Sequence, residues 1–192
     1  MPPSKPSGDV RNADLELAGR IRSGDGAAFE ELYQQHAARL YNLAYRMAGT
    51  ANDAEDLLQD IFLLAYRKVG SFRGESSLGT WLYRLAMNHC LDVLRSRQSR
   101  MGQQTDSLDE EAAPVPTAAP ALGAVSRIDL ERAIGRLPQA CRAAFLLHDV
   151  EGFGHHEVGA ILGISEGTSK SQVHKARLRI RTYLTQPRVA RD

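Results

Sequence analysis

The 192-residue chain is poor in cysteine and aromatic residues, with two cysteines, one tryptophan and 6% aromatics in all. Cys90 and Cys141 stand alone in apolar surroundings without CxxC spacing, which predicts buried thiols and excludes a disulfide framework. No apolar run approaches the ~20 residues needed to cross a bilayer. The opening MPPSKPSGDV lacks the hydrophobic centre of a secretory signal, so a cytoplasmic protein is expected. A P-loop, a nucleophile elbow and metal-ligand spacing are all missing, which argues against a hydrolase or transferase and predicts no cofactor. His148, His155 and His156 come nearest to a metal set. Neighbouring positions 155 and 156 point about 100° apart on a helix, and no fourth ligand completes a zinc geometry.

Strand-like alternation is missing too. Apolar residues recur instead at spacings of three and four, as in Leu15, Ala18, Ile21, then Phe29, Leu32, Tyr33, then Leu40, Leu43, Ala44, Met47. Gly24-Asp25-Gly26 and Gly49-Thr50 punctuate them. The expected fold class is all-α, with two small helical domains. Residues 1–10 read as a disordered tail, 11–98 as the first domain, 127–185 as the second and 186–192 as a closing tail. Between the domains, 99–126 is polar, then rich in Ala and Pro, with too little to bury for a core. That flexible linker could reach about 90 Å when extended.

The net charge of +1 conceals a segregation. Residues 9–60 and 105–131 are net acidic, whereas 66–100 and 132–192 are net basic. Two basic blocks suit two contacts with a polyanion and leave acidic surfaces for other partners.

The most informative stretch is HHEVGAILGISEGTSKSQVHKARLRIRTYL, His155 to Leu184. Val158, Ile161 and Leu162 mark one helix, Gly163 can stop it in a left-handed conformation, and Ser165 can N-cap the next. Val173, Ala176, Ile180 and Leu184 form that second helix's apolar stripe. Off the stripe lie Lys170, Ser171, Gln172, His174, Lys175 and Arg177, donors suited to phosphates and base edges. Turn, cap and stripe agree on a helix-turn-helix that places its second helix in the major groove.

The first domain holds two further segments. A helix from Asp53 to about Val69, with Asn52 and Glu55 spaced as a capping box, buries Leu57, Ile61 and Leu64 with Leu58, Phe62 and Ala65. Its separate stripe, Asp53, Asp56, Asp60 and Leu63, is acidic and ends in an apolar residue. Next, SFRGESSLGTWLYRLAMNHCLDVLRSR sets a polar loop between Phe72 and Trp81. The following helix carries Trp81, Tyr83, Arg84, Asn88 and Arg95. Aromatics beside amides and hydroxyls on a basic element suit stacking on unpaired bases.

DAEDLLQDIFLLAY, SFRGESSLGTWLYRLAMN and ISEGTSKSQVHKAR, in this order and split by a Pro-rich linker, resemble the extracytoplasmic-function (ECF) sigma factors of bacteria. The resemblance covers about Asp14 to Leu184. It implies a non-enzymatic specificity subunit of RNA polymerase, whose first domain docks on the polymerase clamp and opens the −10 element. The second would read the −35 element beside the polymerase flap, and an anti-sigma factor is a further implied partner. Carried over, Asp53, Asp56, Gln59, Asp60 and Leu63 become the clamp-docking face. Phe72, Arg73, Gly74, Glu75, Ser76 and Ser77 become the loop holding a flipped −10 base, with Trp81 supporting it and Asn88 and Arg84 on the adjoining helix. Thr168, Lys170, Ser171, Gln172, His174, Lys175 and Arg177 become the −35 surface.

Three positions depart from the family pattern. Ser169 stands where an aliphatic residue is usual, and its hydroxyl is expected to bond back to a preceding carbonyl. Gln172 stands where Arg is frequent, which would favour adenine over guanine. Asp60 replaces a common Glu with a shorter reach. A conventional helix-turn-helix regulator would explain residues 155–184 equally well, but not the acidic stripe, the FRGESS loop and Trp81/Asn88 in one upstream domain.

Overall fold

The computed structural model describes residues 8–100 and 127–185, and every described element is helical. Four helices make the first unit: α1 (Gly8–Arg22), α2 (Gly26–Ala48), α3 (Ala51–Lys68) and α4 (Leu78–Arg100), with a 3₁₀ turn at Val69–Ser71. The second unit has α5 (Arg127–Gly135), α6 (Gln139–Phe145) continued by a π turn at Leu146–Val150, α7 (His155–Leu162) and α8 (Glu166–Thr185). Helix α1 starts three residues inside the expected tail, and α4 runs two residues beyond the expected domain edge. Neither end meets a proline or glycine that would stop it one turn earlier. The rest of the 99–126 linker and the 186–192 tail lie outside the described residues.

Local chemistry sets the helix ends of the first unit. Gly24, at φ +89°, turns the chain after α1, and Asp25 then N-caps α2 by accepting from the Ala27 and Ala28 amides at 2.9 and 3.2 Å. Gly49, at φ +90°, closes α2 by donating to the Tyr45 carbonyl at 2.8 Å. Thr50, not Asn52, caps α3: its Oγ1 accepts from the Asp53 amide at 3.2 Å and donates to the Asp53 carboxylate at 2.6 Å. The Asn52–Glu55 box expected from spacing therefore gives way to a reciprocal Thr50–Asp53 pair two residues earlier.

The core of this unit lies where α2, α3 and α4 meet. Leu32, Leu40, Leu43 and Met47 of α2, Leu57 and Ile61 of α3, and Leu82 and Met87 of α4 are at most 1% exposed. Each contributes about 1.5–3 kcal/mol through burial. Cys90 lies in the same core, and burial pushes its thiol up to about 12, which leaves it unreactive.

In the second unit Pro138 opens α6 at N-cap, and Leu146, Leu147 and Phe153 anchor the passage into α7. The α7–α8 hinge has the expected parts. Gly163 is left-handed at φ +69°, and the Ser165 hydroxyl accepts from the Thr168 amide at 3.0 Å. Gly159 adds a constraint not anticipated from sequence. A Cβ there would sit 2.7 Å from the Ile164 carbonyl oxygen, so only glycine lets the turn fold back on α7.

Candidate nucleic-acid interface

Helices α3 and α4 leave an open groove of about 310 Å³ lined by Leu64, Lys68, Trp81, Arg84, Asn88 and His89, among others. Trp81, Arg84 and Asn88 are two turns of α4 and fall at i, i+3 and i+7, so one face presents all three. Arg84 and Asn88 are exposed, and Trp81 is half-buried. An aromatic wall, an amide and two cations in one concavity can stack a base, hydrogen-bond its edge and neutralise a neighbouring phosphate.

The 72–77 loop leads directly into this helix and divides its labour. Phe72 is buried and meets Trp81 edge-on, ring centroids 6.0 Å apart. Gly74 is buried and left-handed at φ +68°. Ser77 turns inward on the helix, its Oγ accepting from the Thr80 amide at 3.1 Å and pairing with Thr80 Oγ1 at 2.9 Å. Arg73 and Glu75 are exposed and Ser76 half-buried. Phe72, Gly74 and Ser77 thus shape the loop, while Arg73, Glu75 and Ser76 are the side chains it can offer to a ligand.

The acidic stripe on α3 is divided as well. Asp56, Gln59 and Asp60 are exposed, and Leu63 is 52% exposed. Asp53 instead ties α3 to α4 through an ion pair with Arg97. The Thr50 hydroxyl and then Arg97 hold its carboxyl below the ordinary value. Asp60 lies 3.5 Å from the His89 ring. Beside the remaining stripe is a cup of about 400 Å³ lined by Phe29, Tyr33, Leu58, Gln59, Phe62 and Leu63, with Glu55 at its edge. Tyr33 and Phe29 pack against Phe62 at 4.7 and 6.1 Å, and Phe29 meets Tyr66 at 5.4 Å. The aromatic half of this surface was missed in the sequence because Phe29 and Tyr33 fell on a stripe read as core. Tyr33 and Tyr66 are in fact 41% and 50% exposed.

On α8, Lys170, Ser171, His174 and Arg177 are exposed, with Thr168 and Lys175 half-buried. Lys170 pairs with Glu166 at 2.7 Å. Arg177 is held by both oxygens of Asp149, its Nε at 2.9 Å from Oδ2. Ser169 is fully buried, and its hydroxyl lies 3.1 Å from Nδ1 of His155 on α7. The expected bond back to a preceding carbonyl is replaced by this bridge between the two helices. The His155 ring also stacks on His148 at 3.9 Å, and His148 Nδ1 bonds the Phe153 carbonyl at 2.7 Å. His148 and His155 are thus joined to each other by stacking, His156 is exposed, and among the described residues no group of three or more His, Cys, Asp or Glu could hold a metal ion.

Burial, followed by the neighbouring His148, lowers the affinity of His155 for a proton. A histidine whose folded value lies below its unfolded one binds more protons when unfolded, so its contribution is lost as pH falls. Stability of the second unit should accordingly decline on acidification below about pH 6.5, the ordinary histidine value. His155→Gln should flatten that decline. Amide exchange of α7 and α8 as a function of pH measures it, and a profile unchanged by the substitution would contradict the assignment.

Comparison with known proteins gives these surfaces their context. The pattern of Sigma-70 region 2 matches residues 17–100, and that of Sigma-70 region 4 matches 127–180. The chain belongs to the ECF sigma factors of the sigma-70 family. It is 39% identical over 170 residues to ECF RNA polymerase sigma factor SigE of Mycolicibacterium smegmatis, covering 84% of this chain and 65% of that longer relative. It is 34% identical over 180 residues to SigM of Mycobacterium tuberculosis, covering 92% of this chain and 87% of the relative. The sigma factor RpoE of Bartonella quintana, solved with the anti-sigma factor NepR, matches with a TM-score of 0.64 and 29% identity over 83% of this chain and 98% of that one. The structure of CnrH in complex with the cytosolic domain of CnrY has a TM-score of 0.63 over 90% of this chain and 97% of that one. At 23% identity, that likeness speaks to the fold alone.

Within this sigma factor one expected reading residue moves. Gln172 is 6% exposed, and its side-chain oxygen accepts from the Cys141 thiol of α6 at 2.8 Å. Positions 169, 172, 173, 176 and 180 are all buried and share one helical face. The structure therefore sets Gln172 apart from the exposed edge of α8 that carries Lys170, Ser171 and His174. Gln172→Ala should cost about 1 kcal/mol, for a lost weak hydrogen bond and some packing. It should leave the −35 sequence preference unchanged. Denaturant unfolding and a promoter-library selection check the two halves, and a shifted −35 preference would return Gln172 to the reading surface.

Proposed function

We propose that this ECF sigma factor docks on the polymerase clamp through the α2–α3 cup and the acidic residues beside it, and melts the −10 element in the α3–α4 groove. The domain assignment follows the same division: 11–98 for clamp and −10 contacts, 127–185 for the −35 element and the flap, joined by the 99–126 linker. The observation that carries this reading is the groove itself. Trp81, Arg84, Asn88 and Lys68 surround one concavity beside the 72–77 loop, a set suited to an unpaired base with its phosphate. A duplex hides the faces of its bases, so this chemistry has use only where the strands part.

In the second unit the exposed edge of α8, Lys170, Ser171 and His174 with Thr168 and Lys175 beside them, would meet the −35 duplex in the major groove. Arg177 serves that surface at one remove, since Asp149 already neutralises it; release from Asp149 would free it for a phosphate. Lysines and arginines on phosphates bring affinity and salt dependence, and base edges bring selection. An anti-sigma factor is the natural competitor for these faces, as NepR is a partner of the Bartonella relative. Work on polymerase places the protein in the cytoplasm, with membrane proximity arising only through such a partner. Among the described residues no helix is long and apolar enough to cross a membrane.

The test is co-elution of the purified protein with core polymerase, followed by duplex-promoter binding with and without core. Stable co-elution with core-dependent promoter binding is expected. Tight, specific duplex binding by the protein alone, with no affinity for core, would favour a conventional regulator.

A further inference from the structure

Helix α1 contributes nothing to the groove, yet it reaches the loop beside it at two places. The Asp14 carboxylate accepts from the Leu78 amide at 2.8 Å, across 64 residues of chain. Leu78 is the first residue of α4, and its N–H is one of the donors that no helix can satisfy internally. Ser77 caps the Thr80 amide from within the loop, so α4 has a double cap, one part local and one borrowed from α1. A carboxylate there is favoured by the positive end of the helix as well.

The second contact is made by the next residue of α1, Leu15, with Arg11 one turn back. A Cβ on Gly74 would sit 3.1 Å from Leu15 Cδ2 and 3.3 Å from Arg11 Nε, and the residue is left-handed. The loop backbone therefore presses directly on α1. Leu15 is 39% exposed and lies against that loop. Three residues after the cap, Trp81 stands on the first turn of α4 and meets Phe72 across the loop.

We propose that Asp14 is a positioning residue for promoter melting: from α1 it fixes the start of α4, and with it the 72–77 loop and Trp81, in the geometry that receives a flipped −10 base. This rests on the assignment of the α3–α4 groove and the loop as the base site. Asp14 touches no DNA in this scheme. It acts through the Leu78 amide, and its loss would let the first turn of α4 fray and the loop sample several positions. A loop that must be ordered at the moment of recognition costs affinity, and one held too loosely also blunts the contacts that tell one base from another.

The experiment uses full-length protein with core polymerase and compares Asp14→Ala, Asp14→Asn and Asn88→Ala. The readout is the ratio of transcripts from two pre-melted −10 templates that differ only at the flipped base, on a promoter selected with the unaltered protein. Asp14→Ala should lower that ratio about five- to tenfold, the scale of a lost helix cap, with core affinity unchanged. Asp14→Asn keeps an acceptor oxygen and should restore most of it. In the free protein, Asp14→Ala should also make Trp81, the sole tryptophan, more accessible to a collisional quencher. General destabilisation would lower both templates alike and leave the ratio at its original value, a result that counts against positioning. An unchanged ratio and unchanged quenching in Asp14→Ala, with discrimination lost in Asn88→Ala, would overturn the role of Asp14 and leave the base site standing. An unchanged ratio in Asn88→Ala would instead overturn the base site, and the proposal with it.

Discussion

Replacing Asn88 by alanine is expected to leave polymerase binding and −35 binding intact while slowing open-complex formation on duplex promoter by one to two orders of magnitude. The estimate follows from ~1–3 kcal/mol for a good base contact. Unstacking a base costs a few kcal/mol, which only a matching pocket can offset. Asn88 is exposed on α4 in the groove shared with Trp81 and Arg84, where its amide can meet the edge of a base stacked on the indole. Pre-melting the −10 segment should remove the opening defect and leave a loss of base preference. Permanganate reactivity of the −10 strand, on duplex and bubble templates, separates the two. Normal opening together with normal preference would remove Asn88 from the site.

The second large effect belongs to the other face of α3. Leu63→Asp should weaken core-polymerase affinity by about 30-fold or more, the scale of a central interface residue at ~2 kcal/mol. Leu63 is 52% exposed at the rim of the aromatic cup, so folding stability should change by no more than about 0.5 kcal/mol. Asp56→Lys should act more weakly and through association rate, with an effect that fades at high salt. Asp53 behaves differently from its neighbours. It is committed to Thr50 and Arg97, so its replacement should register in stability before it registers in docking. Titration of labelled core with each variant orders these effects, and equal affinity for Leu63→Asp and unaltered protein would contradict the docking face.

What could be read from the sequence, and what could not, divides along a physical line. Backbone-determined features were legible: Gly163 as a left-handed stop and Ser165 as a cap each express a property of one residue in its own turn. The helix-turn-helix and the groove helix followed from periodicity. Side-chain commitments across helices were not legible. Gln172 was placed on the DNA face by its polarity, although its spacing from Ala176 and Ile180 already put it on the buried stripe. Cys141, 31 residues away, is the partner that makes burial of its amide tolerable. Ser169 likewise found His155 and not its own helix. Tyr33 and Phe29 looked like core because periodicity gives the face of a helix, not how much of that face its neighbours cover. The Asp14 bond to Leu78 had no local signal at all.

In the proposed function the chain gives core polymerase a promoter specificity and opens the −10 strands itself. The most direct test is mapping of transcript 5′ ends from genomic DNA of the source organism, with core polymerase alone and with the purified protein added. New starts should appear that depend on the protein, share a common −35 and −10 pair at fixed spacing, and lose the −10 preference selectively in Asn88→Ala. An identical set of starts with and without the protein would contradict that function.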